Sequence, residues 1–144
     1  IRQSADVLQI INRLVTIIQP ECAQRGIDII VRAGDESILK SLDVNQIEQA
    51  LMNILRNSIE AIDLTGTITI SIEEEKGNHI LLITDTGEGL SSEAKDQLFT
   101  PFFSTKPNGQ GIGLTLVNEI LSRHNFKFKL TCQPEFPTRF SIFL

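Results

Sequence analysis

The sequence has few residues of several types, and each shortage excludes a class of protein or site. It contains no tryptophan, no tyrosine and one methionine, and its 144 residues include two cysteines, Cys22 and Cys132. The cysteines stand far apart, with no CxxC pair and no adjacent histidine, so a zinc site is not expected. We interpret them as two buried thiols in a reducing compartment.

Clustered basic charge and long apolar runs are also missing. The 13 lysines and arginines are dispersed, and with 18 acidic residues they leave a net charge of −5. Affinity for nucleic-acid phosphates comes from clustered Lys and Arg, so no nucleic-acid partner is expected. No apolar run approaches the roughly 20 residues that a membrane span needs. We therefore expect no direct membrane contact by this chain.

Length and composition fit one globular domain. A chain of this size can bury a substantial core, and 41% hydrophobic with 22% charged residues is ordinary for a globular protein. The chain begins at Ile1 rather than at Met. We therefore expect a fragment of a longer protein, with residues 1–144 forming a single domain.

Hydrophobic periodicity predicts the secondary structure. A helix is predicted over 7–25, with Pro20 causing a kink or a break and Gly26 as the C-cap. A longer helix is predicted over 44–62, with Asp43 as its N-cap. The same patterns predict strands over 27–31, 68–73, 80–85, 126–132 and 140–144, and helices over 91–98 and 112–124. Strands with inserted helices that do not strictly alternate favour an α/β sandwich with helices on one face.

The predicted helix over 44–62 has an amide-rich side. Asn53 and Asn57 are one turn apart on the side opposite the apolar residues, with Arg56 and Glu60 beside them. Carboxamide oxygens are hard, neutral ligands that suit a Mg²⁺ ion already carrying waters and phosphates. Two solvated amides would give the same spacing, so this pattern alone leaves both interpretations open.

A first glycine cluster occupies residues 85–89. Asp85 ends a predicted inner strand, where its carboxylate either accepts a hydrogen bond from an exocyclic amine or closes an Asx-turn. Gly87 and Gly89 either let the backbone approach a planar base closely or form a tight turn.

A second glycine cluster, over 109–113, leads directly into the predicted helix over 112–124. The free NH groups of a helix N-terminus favour an anion. A loop rather than a strand precedes the cluster, which counts against a dinucleotide-binding fingerprint, and no P-loop motif is present. Lys106 in that loop either reaches a terminal phosphate or is one more exposed lysine.

In this order the motifs resemble the catalytic ATP-binding domain of bacterial sensor histidine kinases. That domain belongs to the ATPase superfamily shared with DNA gyrase, heat-shock chaperones and mismatch-repair ATPases. The family has four sequence boxes, and each matches a range of this chain. The asparagine box matches 53–61, the first glycine box 85–89, the phenylalanine box 98–103 and the second glycine box 109–114. The amino-acid sequences at 55–57 and 101–106 resemble those of the nitrogen-regulation subgroup of these kinases. The resemblance covers about 7–144 and implies the Bergerat ATP-binding fold, a two-layer α/β sandwich with a mixed, mostly antiparallel sheet.

The resemblance implies that the chain binds ATP and Mg²⁺. It implies that Asn57 holds Mg²⁺, that Asn53 contacts phosphate or metal-bound water, and that Asp85 recognises adenine. The further nucleotide contacts that it implies come from the same boxes and from the short lid: Arg56, Gly87, Gly89, Lys106, Gly109, Gly111, Ile112, Gly113 and Leu114.

The resemblance also implies a function in two-component signal transduction. The chain would donate the γ-phosphate of ATP to a histidine on a separate dimerisation domain. The implied partners are that phosphoacceptor domain of the parent protein and a downstream response regulator. The parent is expected to be a cytoplasmic homodimer, and whether it is also anchored in a membrane stays open.

The two histidines of this chain do not resemble the phosphoacceptor. His79 lies in a predicted strand and His124 at a predicted helix end, and we interpret each as a surface or capping histidine. The family usually has His-Gly-Gly where this chain has His124-Asn125-Phe126, so the turn has to form without glycines.

Three alternative functions use the same boxes. An ATP hydrolase of the gyrase or chaperone type needs a glutamate base four residues before the metal asparagine. This chain has Asn53 there, and an amide cannot take a proton, so hydrolysis is disfavoured. The other two alternative functions are a serine kinase of the anti-sigma type and a nucleotide-sensing module without catalysis.

Overall fold

The computed structural model describes residues 2–34, 37–62, 64–86, 111–133 and 136–144. Ten helices and strands are assigned within these ranges. In chain order they are β1 (Gln3–Asp6), α1 (Val7–Gln24), β2 (Ile27–Arg32), β3 (Leu39–Leu42), α2 (Val44–Ala61), β4 (Gly66–Glu75), β5 (Asn78–Asp85), α3 (Gly111–Arg123), β6 (Lys127–Gln133) and β7 (Phe136–Phe143).

The main sheet has five strands in the order β2-β4-β5-β7-β6. β2 pairs with β4 in parallel, and the other three pairs are antiparallel. Lys76 and Gly77 join β4 to β5 with φ values of 53° and 82°. Positive φ at both residues of a two-residue loop matches the right-handed twist of the strands that it joins. The predicted mixed, mostly antiparallel sheet is confirmed.

One face of the sheet builds the core. Across β4 and β5 the paired residues on this face are Ile70 with Ile83 and Ile72 with Leu81, and Leu81 also pairs with Ile142 of β7. These side chains belong to one hydrophobic cluster with the apolar residues of all three helices. The helices therefore cover this face, which we call the core face, as the sequence predicted.

The end of α1 and the start of α2 lie close to the residues that the sequence indicates. α1 is assigned as one helix through Pro20, so the predicted break does not occur. Pro20 is exposed, and water can therefore bond the carbonyl that proline leaves without a donor. Gly26 follows the C-cap of α1 with φ of 74°, and the Asp43 carboxylate accepts a hydrogen bond from Gln46 N at 3.1 Å to cap α2.

A second, two-stranded sheet of β1 and β3 was not predicted. β1 is short, with two exposed and two half-buried residues, and has no apolar alternation. Its pairing with β3 is reinforced by the Asp6 carboxylate, which accepts hydrogen bonds from Leu8 N at 3.0 Å and Ile38 N at 2.9 Å. Backbone pairing of this kind leaves no hydrophobic period in the sequence.

The end of α3 shows how the turn forms without glycine. Asn125 has φ of 59°, the left-handed conformation in which asparagine is better tolerated than most residues. Phe126 N donates to the Leu121 carbonyl and Asn125 N to the Ser122 carbonyl, both at 3.0 Å. These two bonds are those of a Schellman C-cap.

Asn125 can be tested directly. Asn125→Ala should lower the free energy of unfolding by about 1 kcal/mol because a Cβ without a polar group is strained at positive φ. Asn125→Gly should change it by less than about 0.5 kcal/mol. Urea unfolding at constant m-value measures both. Asn12→Ala, at an exposed position of α1, is the matched control and should not destabilise. An Asn125→Ala variant as stable as the parent would contradict this account of the turn.

Candidate functional site

The asparagine box lies along α2. Asn53 and Asn57 are half-buried, whereas Arg56 and Glu60 are exposed. The two amides therefore lie at the boundary of the packed side of the helix, not on the fully solvated side. α2 packs against both β5 and α3, the helix that begins in the second glycine box.

Asp85 is the last residue of β5 and is 2% exposed. It pairs with Ile68 of β4 and so lies on the core face of the sheet. The sequence placed Asp85 at the end of a predicted inner strand, and the structure shows it there, almost fully buried. A buried carboxylate needs hydrogen-bond or ionic partners to be tolerated, and Asp85 makes an interaction of this kind.

The second glycine box forms the start of α3. The helix begins at Gly111, so Gly111, Ile112, Gly113 and Leu114 make up its first turn. The first NH groups of a helix have no partner within it and carry the positive end of its dipole. This end of α3 has the backbone chemistry that an anion requires.

Several predicted site residues lie outside the described ranges. They belong to the first glycine box, the lid loop and the start of the second glycine box, and are Gly87, Gly89, Lys106 and Gly109. The predicted helix over 91–98 and the phenylalanine box also lie outside them. Their nucleotide contacts stay predictions.

Arg56 makes an ion pair that the sequence did not indicate. Its Nη1 lies 2.5 Å from Oε1 of Glu21 in α1, with both side chains substantially exposed. Arg13 and Glu48 form a second ion pair between the same helices. Exposed pairs of this kind contribute at most about 1 kcal/mol. The described contact of Arg56 is thus with α1, and its contact with nucleotide stays a prediction.

His124 is buried, at 6% exposure, so it is not a surface histidine. Its Nε2 accepts a hydrogen bond from Asp43 N at 3.1 Å, and its Nδ1 lies 2.8 Å from the Ile120 carbonyl. An N–H can only donate, so Nε2 is unprotonated and Nδ1 carries the hydrogen to Ile120. His124 therefore caps the last turn of α3 and links it to the N-cap of α2.

Cys22 supports the interpretation of a buried thiol. It is 1% exposed and free. Burial raises the pKa of its thiol, and the adjacent Glu21 carboxylate adds to the increase. A thiol with a raised pKa is a poor nucleophile, so Cys22 belongs to the core rather than to a site.

Amide side chains are the candidate metal ligands among the described residues. The described residues contain no group of three or more His, Cys, Asp or Glu side chains placed to hold a metal ion. Mg²⁺ retains several waters and takes few protein ligands beside nucleotide phosphates. The half-buried amides of Asn53 and Asn57 fit that requirement.

No helix among the described residues is long and apolar enough to cross a membrane.

Comparison with known protein families shows which family the chain belongs to. The family model of the histidine kinase-, DNA gyrase B- and HSP90-like ATPases matches residues 42–144. The chain belongs to this ATPase family. The resemblance drawn from the four boxes is thereby confirmed, while its finer assignment to the nitrogen-regulation subgroup stays a prediction.

Relatives within this ATPase family include sensor kinases. The sensor histidine kinase ZraS of Escherichia coli K12 is 28% identical over 142 residues, which cover 99% of this chain and 30% of ZraS. The sensor protein DegM of Bacillus sp. strain B21-2 is 32% identical over 114 residues, 79% of this chain and 30% of DegM. The chain thus spans less than a third of the length of these relatives.

Solved structures show the same fold. The catalytic domain of histidine kinase ThkA superposes with a TM-score of 0.89 at 23% identity, covering all of this chain and 95% of that domain. ThkA in complex with the response regulator TrrA gives 0.84 at 21% identity, covering 99% of this chain and 41% of ThkA. The predicted histidine-kinase-type ATPase fold is confirmed.

The link through His124 gives a stability prediction. His124→Phe keeps a ring in the core but leaves Asp43 N–H without its acceptor, so the free energy of unfolding should fall by about 1–3 kcal/mol. The matched control is His79→Phe in β5, because half-buried His79 makes no described side-chain hydrogen bond. Urea unfolding compares the two. Equal stabilities of both variants and the parent would contradict the proposed role of the link.

Proposed function

We propose that residues 1–144 form a single catalytic domain that binds ATP with Mg²⁺ and donates the γ-phosphate to a histidine on a separate domain. One observation carries this proposal. α2, with the two amides, packs against β5, which ends at Asp85, and against α3, which begins in the second glycine box. Groups suited to a metal, a base edge and phosphates thus come from three adjoining elements.

Each element contributes one kind of contact. Asp85 accepts a hydrogen bond from the exocyclic amine of adenine. Asn57 holds the metal, and Asn53 contacts phosphate or metal-bound water. The first-turn NH groups at Gly111 and Gly113 bind phosphate oxygens. When bound, Mg²⁺ neutralises charge on the transferring phosphate.

The remaining contacts of the proposed site come from the glycine boxes and the lid. The resemblance to the family assigns Gly87 and Gly89 to contact with the base and Lys106 to contact with the terminal phosphate. The further proposed contacts are Arg56, Gly109, Ile112 and Leu114. These assignments follow the family boxes and extend the same site toward the phosphates.

Transfer to histidine is favoured over hydrolysis by the residue at position 53. A water nucleophile needs a base to remove its proton, and the Asn53 amide cannot serve as one. An imidazole attacks through a nitrogen lone pair and needs less help. Neither histidine of the chain fits as acceptor, because His124 is buried with both ring nitrogens engaged and His79 lies within β5.

The relatives support one class of partner, a response regulator. ZraS is a sensor histidine kinase, and ThkA has been solved with a response regulator. We propose that this chain works with the dimerisation and phosphoacceptor domain of its own parent protein and with a response regulator. We also propose that the parent is a cytoplasmic homodimer of the nitrogen-regulation type.

Phosphate transfer provides the test. With γ-labelled ATP and Mg²⁺, the chain alone should stay unlabelled and release little phosphate. Adding the dimerisation domain of the parent should place acid-labile label on that domain. Asn57→Ala should reduce this labelling by about 100-fold, because losing a metal ligand removes several kcal/mol of transition-state stabilisation.

Asn45→Ala is the matched control, since it removes an exposed amide from the same helix and should label like the parent chain. Three results would count against the proposal. They are acid-labile label on the chain itself, acid-stable label on an added protein, and steady phosphate release without an acceptor. The second would favour a serine kinase and the third an ATP hydrolase.

A further inference from the structure

We infer that Thr86, seated against Gly66, is a positioning residue that holds Asp85 for adenine recognition. This inference rests on the proposed function, because it assumes that Asp85 receives the base. Neither Thr86 nor Gly66 was among the site residues that the sequence indicated.

Thr86 forms a two-bond clamp with Thr67 just beyond the end of β5. Its N–H donates to the Thr67 carbonyl at 3.2 Å, and its Oγ1 accepts from Thr67 N at 3.0 Å. Asp85, one residue earlier, is paired with Ile68. The backbone of Asp85 is therefore held on one side by the strand pairing and on the other by the Thr86 clamp.

Gly66 provides the space that this clamp needs. A Cβ placed on Gly66 would lie 2.5 Å from Thr86 Oγ1 and 2.9 Å from Cγ2 of Ile62. Real Cβ contacts are essentially never that short, and Ile62 is 2% exposed in the packed core, so it has little room to give way. Any larger residue at position 66 would displace Thr86 or disturb the end of α2.

The sequence explains why an anchor is needed at this point. Two of the three residues after Thr86 are glycines, which have more backbone freedom than any other residue. A recognition group has to be held within about 0.5 Å to discriminate between ligands. The clamp fixes the backbone next to Asp85 within the strand pairing of β4 and β5, independently of the residues that follow Thr86.

Base discrimination reports the position of this carboxylate. Adenine presents an amine donor where guanine presents a carbonyl acceptor, and an ionised carboxylate can only accept. Metal and phosphate contacts are the same for ATP and GTP. The ratio of the two affinities therefore isolates the contribution of Asp85 from general damage to the site.

The experiment measures Kd for ATP and for GTP with Mg²⁺ by calorimetry on the 144-residue chain. Thr86→Val removes the acceptor without changing side-chain size, and Gly66→Ala displaces it. Both should reduce the preference for ATP by about three- to tenfold. Thr86→Ser keeps the hydroxyl, so its preference for ATP over GTP should stay within about twofold of that of the parent chain. Thr84→Val, the same substitution in β5, is the matched control and should do likewise.

Asp85→Asn separates the inference from the proposed function. An unchanged ATP preference in this variant would overturn the adenine assignment and the inference with it. If Asp85→Asn loses the preference but Thr86→Val keeps it, or weakens ATP and GTP equally, only the positioning role is overturned. Should Gly66→Ala fail to fold, Thr86→Val and its rescue by serine decide the result.

Discussion

The rest of the site depends on a carboxylate buried at the end of a strand. Desolvating a carboxylate costs several kcal/mol unless hydrogen bonds or charges compensate it. Asp85 nevertheless lies on the core face, in register with aliphatic side chains of β4, and it is the only carboxylate among the buried described residues. The proposed adenine contact gives this position a function, because an ionised carboxylate can only accept hydrogen bonds and so selects a ligand that brings a donor.

α2 and α3 are held in a fixed relation to each other, and α2 also packs against β5, the strand that ends at Asp85. At one end of α2, Asp43 caps the helix and also donates its N–H to His124 at the end of α3. The N-terminus of α3 carries the second glycine box, and α2 carries the amides. In the proposed site a phosphate chain would contact both helices, so their relative position should be constant. The hydrogen bond between Asp43 and His124 joins the two helices and supports a constant relative position.

The sequence predicted those parts of the molecule that rest on local periodicity or on local motifs. The helix over 44–62, its Asp43 cap and the strand ending at Asp85 follow from spacing and capping chemistry. The order of the four boxes then indicated the family. The sheet of β1 and β3 could not be predicted in this way, because backbone hydrogen bonds hold it and leave no side-chain pattern.

Other features could not be predicted because they join residues that are distant in sequence. The hydrogen bond from Asp43 to His124 spans 81 positions, the ion pair of Arg56 with Glu21 spans 35, and the Thr67–Thr86 bond spans 19. A glycine that makes room for a neighbouring hydroxyl looks in sequence like any turn glycine. In the sequence Gly66 stands shortly before the strand predicted over 68–73, as many turn glycines do.

The central claim is that α2, the end of β5 and the first turn of α3 surround one nucleotide. Amide chemical-shift mapping of the ¹⁵N-labelled chain with Mg²⁺ and a non-hydrolysable ATP analogue tests it most directly. The largest shifts should fall on Asn53, Asn57, Asp85 and the amides of Gly111 and Gly113, while β6 and the β1–β3 sheet should change little. Shifts concentrated on β6 or on the β1–β3 sheet, or none at millimolar nucleotide, would contradict the account.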